Sequence, residues 1–92
     1  MIQSFGDDDT EALFYREASR RWAPIARVAL RRLRILHRAQ TLGDLRVPPG
    51  NRLEALQGDR AGQYSIRVNE QYRICFRWRH GDAYGVELTD YH

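Results

Sequence analysis

The 92-residue chain contains no lysine; all fifteen of its basic residues are arginine. No side chain can therefore act as a neutral-amine base, because arginine stays protonated. The single cysteine, Cys75, excludes an internal disulfide framework and a cysteine-rich zinc site. No apolar run approaches the ~20 residues of a membrane span, so no membrane contact is expected. The opening MIQSFGDDD is acidic and lacks the apolar core of a signal peptide, which points to a cytoplasmic protein. HExxH, P-loop and dinucleotide fingerprints are missing. No acid or histidine cluster has metal-ligand spacing either, so neither metal nor cofactor is expected. With no repeat, low-complexity tract or long linker, residues 1–92 read as one domain.

What remains is a globular composition, 42% apolar and 29% charged, too rich in core-forming residues for a disordered chain. A net charge of +3 predisposes it toward polyanions. GC-rich coding would by itself account for the exclusive use of arginine.

The pattern of apolar residues predicts helices first and strands later. Residues 1–5 alternate, with Ile2 and Phe5 apolar, and read as an edge or central strand. Asp8 with Glu11 resembles a capping box ahead of a helix over about 10–18 that buries Leu13 and Phe14. Pro24 suits the first turn of a second helix running to about residue 39. On that helix Ile25, Ala29, Leu33 and Leu36 share one face, and Arg27, Arg31, Arg34 and Arg38 stack on the opposite one. The second stripe is read as a solvated face, with RNA backbone or an acidic partner as the alternative. Residues 41–51 read as a loop. The period then changes to two. Leu53 and Ala55 alternate with Glu54, the turn GDRAG occupies 58–62, and three apolar combs follow: Tyr64/Ile66/Val68, Tyr72/Ile74/Phe76/Trp78 and Tyr84/Val86/Leu88.

Matching faces fixes an expected register. A turn of His80, Gly81 and Asp82 would set Arg79 opposite Ala83, Phe76 by Val86, Ile74 by Leu88 and Arg73 by Thr89. A turn of Asn69, Glu70 and Gln71 would set Arg67 opposite Arg73. The expected fold is α+β, two N-terminal helices packed on a mainly antiparallel twisted sheet.

The polar face of that sheet gathers Arg67, Arg73, Arg77 and Arg79, all expected at a solvent-reachable surface. Opposed like charges are costly unless something neutralises them, and Glu87, expected near Cys75, offsets part of the cost. A solvated face with local ion pairs is the plain alternative to a phosphate-binding surface. The latter is favoured because helices are expected to cover the other face. His92 brings an imidazole beside Tyr91, Asp90 and the arginines, and imidazole exchanges protons near neutrality; last residues, however, usually fray. His37 and His80 read as structural or solvent-facing, and Cys75 as an inert half-buried thiol.

MIQSFGDDDTEALF, PPGNRLEALQGDRAGQYSIRVNEQYRICF and the terminal VELTDYH together resemble the HigB-type toxins of the RelE/ParE superfamily, essentially end to end and closest to the GraT-like branch. The resemblance implies a RelE-like α+β ribonuclease from a type II toxin–antitoxin operon. Such a toxin cuts messenger RNA in the ribosomal A site and so inhibits translation. The implied partner is a HigA-type helix-turn-helix antitoxin, through which alone operator DNA is bound. The implied chemistry uses the RNA's 2′-OH as nucleophile, leaves a 2′,3′-cyclic phosphate, and needs neither metal nor cofactor. The family's active-site positions fall on Arg73 for transition-state charge, His92 for acid/base work, Tyr91 for stacking or proton transfer, and Asp90 for orienting its neighbours. Arg67, Arg77, Arg79, Arg52, Arg60 and Gln57 are the implied RNA contacts. Gln57 is a departure, since related toxins often carry an active-site lysine immediately before this Gly-Asp-Arg turn. Glutamine supplies neither charge nor a proton at neutral pH, leaving Arg60 or Arg52 to compensate. A ParE-like gyrase poison and a non-catalytic RNA- or ribosome-binding module remain the alternatives. Arg73 and the terminal Asp90-Tyr91-His92 favour the enzyme, because a gyrase binder has no need of an acid/base pair.

Overall fold

In the computed structural model, which describes residues 1–90, the chain forms two helices followed by a four-stranded antiparallel sheet. Helix α1 spans Asp8–Arg16 and α2 spans Ala26–Arg38, entered through a short 3-10 turn at Ala23–Ile25 that carries Pro24. The strands are β1 (Glu54–Ala55), β2 (Tyr64–Arg67), β3 (Tyr72–Arg79) and β4 (Asp82–Asp90), in the spatial order β1-β2-β3-β4. No helix among the described residues is long and apolar enough to cross a membrane.

Helix α1 starts one residue earlier than Asp8 suggests as a cap. Asp7 is the N-cap, and its carboxylate accepts from the Thr10 amide at 2.7 Å. The Thr10 hydroxyl donates to the same carboxylate at 3.0 Å and accepts the Leu88 amide at 3.0 Å, which ties the helix to β4. On α2, Ala29, Leu33 and Leu36 are buried. They join Leu13, Ile66, Ile74, Phe76, Val86 and Leu88 in one core between helices and sheet. Arg27, Arg31, Arg34 and Arg38 are exposed on the outer side of α2.

The first five residues make isolated parallel bridges, Ile2 to Ala83 and Phe5 to Val86, instead of a strand. The Ile2 amide donates to His37 Nδ1 at 3.1 Å, and the His37 ring packs on Phe14, so His37 is structural. The expected loop at 41–51 is pinned from inside. Asn51 is fully buried, donates to the carbonyls of Leu45 and Val47, and accepts from Arg32 at 2.5 Å.

Register agrees with expectation across most of the sheet: Arg67 faces Arg73, Arg73 faces Thr89, and Ile74 faces Leu88. It differs at the β3–β4 turn. The turn is His80-Gly81, with φ of 53° and 82°, so Arg79 faces Asp82 and not Ala83. Positive φ at both central residues is the geometry that matches a two-residue hairpin loop to strand twist. The one-residue offset is absorbed by an irregularity opposite Cys75–Arg77, where Gly85 has φ 60°. Ala83 is therefore buried, while Tyr84 pairs with Arg77 and leaves the apolar comb for the polar face.

Candidate functional site

The face of the sheet away from the helices carries four rungs of side chains. Glu54, Ser65, Cys75 and Glu87 form one row across all four strands. Arg67, Arg73 and Thr89 form the next toward the β2–β3 turn, and Arg77 with Tyr84, then Arg79 with Asp82, lead toward the β3–β4 turn. Strand alternation puts these residues on one face, as expected from period two.

Arg73 departs from the solvent-reachable position expected of it, being only 8% exposed. The segment before β1 causes the burial. Arg52 adopts a left-handed conformation with φ 43°, and its carbonyl accepts from Arg73 Nη2 at 2.6 Å. From β2, the Ser65 hydroxyl accepts from Arg73 Nε at 2.6 Å, and its carbonyl accepts from Nη2 at 3.4 Å. Glu54 Oε1 lies 3.9 Å from Nη1. Burying a guanidinium is costly unless its donors are satisfied. Here several acceptors hold the fork in one orientation. Its cross-strand neighbour Arg67 donates from Nε to the Asn69 carbonyl at 3.1 Å.

Cys75 is fully buried, and burial pushes its thiol up, against a Thr89 hydrogen bond and the charges of Arg60 and Arg73 that pull it down. A neutral buried thiol is a weak nucleophile. Arg60, in the turn Gly58–Arg60, donates to Glu87 Oε1 at 2.9 Å and to Gln63 Oε1 at 3.0 Å. Gly6 makes room for Glu87: a Cβ at Gly6 would lie 2.9 Å from its Oε2. Gln57 is exposed at the start of the same turn, and Arg52 is exposed at the mouth of the site. Asp90 ends β4 opposite Tyr72, and its carboxylate accepts from Gln71 at 3.1 Å. Tyr91 and His92 lie outside the described residues. Among the described residues, no three His, Cys, Asp or Glu side chains gather as a metal site would require.

The structure thus brings Arg73, Arg67, Arg52, Arg60, Arg77 and Arg79 to one face. Sequence reasoning missed the use of Ser65 and Glu54 as Arg73 partners, although both lie on polar positions of their strands. It also missed Tyr84, whose turn to this face depends on a backbone irregularity. Chemically, the face offers one fixed and several exposed guanidinium groups to a phosphodiester, with carboxylates at Glu54 and Glu87 on its borders; Asp90, paired with Tyr72, falls on the opposite, helix-side face.

The family profile described as the RelE-like toxin of the type II toxin–antitoxin system HigB matches residues 3–92. A curated relative, Toxin HigB-1 of Vibrio cholerae serotype O1, is 42% identical over 90 residues, covering 96% of this chain and 95% of its own. Endoribonuclease HigB of Proteus vulgaris is 40% identical over 65 residues, 66% of this chain and 65% of its own. An uncharacterised protein of Haemophilus influenzae is 36% identical over 62 residues, 67% of this chain and 61% of its own.

Proposed function

The chain belongs to the HigB family of RelE-like type II toxins, whose membership implies an antitoxin partner, and we propose that it is an endoribonuclease cutting messenger RNA. The observation that carries this reading is Arg73, a guanidinium locked by Ser65 and Arg52 within a face of arginines. The chain is also 40% identical over its matched part to a protein named as an endoribonuclease.

The reaction proposed is intramolecular transesterification on the ribosome. The RNA's 2′-oxygen forms a bond to phosphorus, the bond to the 5′-oxygen breaks, and a 2′,3′-cyclic phosphate remains. Charge builds on the non-bridging oxygens, and a preoriented cation aimed at them costs no reorganisation. Arg73 has that role. The 2′-OH must lose a proton and the 5′-oxygen must gain one. We assign His92 to this acid/base work, Tyr91 to stacking or proton transfer, and Asp90 to orienting them. Arg67, Arg77, Arg79, Arg52, Arg60 and Gln57 contact the RNA. No metal or cofactor takes part, the site of action is the cytoplasm, and the neutralising partner is a HigA-type helix-turn-helix antitoxin.

Primer extension on cellular messenger RNA after brief expression tests the reading. In-frame cuts are the expected result, and they should persist in a reconstituted translation system chelated of metal, with polyamine holding the ribosomes together. Altered plasmid supercoiling without cuts would instead mean a gyrase poison. Binding to ribosomes without cuts would mean a non-catalytic module.

A further inference from the structure

At the β3–β4 turn end, the polar face closes on a shallow cleft of about 220 Å³ lined by Gly62, Arg77, Trp78, Arg79 and Tyr84. The Arg79 guanidinium lies over the Tyr84 ring, 5.0 Å from its centroid. Tyr84 pairs with Arg77 across the strands, and both arginines are exposed. Neither arginine is in an ion pair among the described residues. The carboxylate facing Arg79, that of Asp82, lies 3.3 Å from the Met1 ammonium instead. Gly62 lets the 58–63 turn lie close, since a Cβ there would be 3.2 Å from Arg77 Nη1. The cleft therefore joins a flat aromatic–guanidinium surface to a second exposed cation.

A flat π surface beside cations is the combination that holds single-stranded nucleic acid, stacking on bases of any identity while the charges take phosphates. We propose that this cleft is a second contact for single-stranded RNA, the Arg79–Tyr84 pair stacking on one base and Arg77 taking the adjoining phosphate. The proposal rests on the ribonuclease reading. Arg77 is four residues from Arg73 along β3, roughly 13 Å at strand rise, so the base held here flanks the cut and is not the nucleotide cut. Gripping a flanking base by stacking positions the strand without selecting its sequence. An acidic peptide would use the two charges but not the ring, which makes dependence on the ring the deciding property.

The test is fluorescence anisotropy of the intact protein with a short labelled 2′-O-methyl oligoribonucleotide, which binds but cannot be cleaved. Loss of a stacked base costs roughly ten- to a hundredfold in affinity. Tyr84→Leu, which keeps apolar bulk, is expected to lose about that much, while Tyr84→Phe binds like the parent; circular dichroism checks the fold. Arg79→Lys, an exposed change that keeps the charge but not the plane, is expected to lose affinity several-fold, and it decides the matter if Tyr84→Leu does not fold. Parent-like binding by Tyr84→Leu or Arg79→Lys, or a parent that binds no RNA, overturns the proposal. Cuts by the parent in translation reactions are scored separately, so failure of the ribonuclease reading is distinguishable from failure of this contact.

Discussion

Arg73 is held where a charge is expensive, and its replacement is expected to act on stability and activity together. Arg73→Ala strips a donor from the Ser65 hydroxyl and from the Arg52 carbonyl. The expected cost is about 2–4 kcal/mol, read as a lowered urea midpoint. Messenger RNA cleavage per folded molecule should fall at least ~100-fold, the usual loss when one transition-state contact is removed. A folded variant that cleaves like the parent would limit Arg73 to architecture. Gln57 is a different case, because it is exposed and a substitution there leaves the core alone. The nearby Arg60 is engaged by Glu87, so a new cation at 57 is not redundant. Gln57→Lys is expected to deepen growth arrest at equal protein level; unchanged growth would put position 57 outside the working site. Cys75 gives a pH signature. Its thiol is raised in the folded state by burial, so the stability it contributes is complete below the ordinary thiol range and is lost as pH rises through the raised value. The urea midpoint of the parent should therefore drop more steeply at alkaline pH than that of Cys75→Ala.

Among the elements, the β3–β4 hairpin shows how far sequence carries. Alternation alone finds the three long strands and puts Arg67, Arg73, Arg77 and Arg79 on one face, because a sheet covered by helices on one side imposes period two. The same alternation misplaces Tyr84, since one residue at Gly85 shifts every position between it and the turn. Nothing in GDAYGVEL separates a three-residue turn with a regular strand from a two-residue turn with an irregular one. The burial of Arg73 was hidden for another reason: it depends on the backbone of Arg52, twenty-one residues away, and long-range carbonyl partners leave no local pattern. At Gly85, φ of 60° is strained for any side chain although no atom lies within 4 Å of a Cβ there. Gly85→Val is expected to cost about 1–2 kcal/mol from conformation alone. Gly85→Asn should be tolerated better, as asparagine visits this region more readily. Equal midpoints for the two variants would mean that the hairpin relaxes to a different register.

Over the whole molecule, the small net charge of +3 understates the polar face, because four acids, Asp7, Asp8, Asp9 and Glu11, are spent at the start of α1. If Arg52, Arg67, Arg77 and Arg79 each neutralise one phosphate, the logarithm of the RNA association constant should fall against that of salt with a slope of about −3. A slope near zero in a salt titration would remove the phosphate contacts from the account. The chain's beginning and end are joined as well. Ile2 and Phe5 bridge to β4, and Thr10 receives the Leu88 amide seventy-eight residues further on. Synthesis runs from the N-terminus, so the Thr10 hydroxyl of the first helix waits for β4 to supply its Leu88 donor. β4 also supplies Thr89 beside Arg73 and Glu87 for Arg60. A chain in which β4 has not yet paired has neither a closed core nor a finished arginine face. Helix capping, core closure and the arginine face are thus one cooperative event, completed when β4 docks.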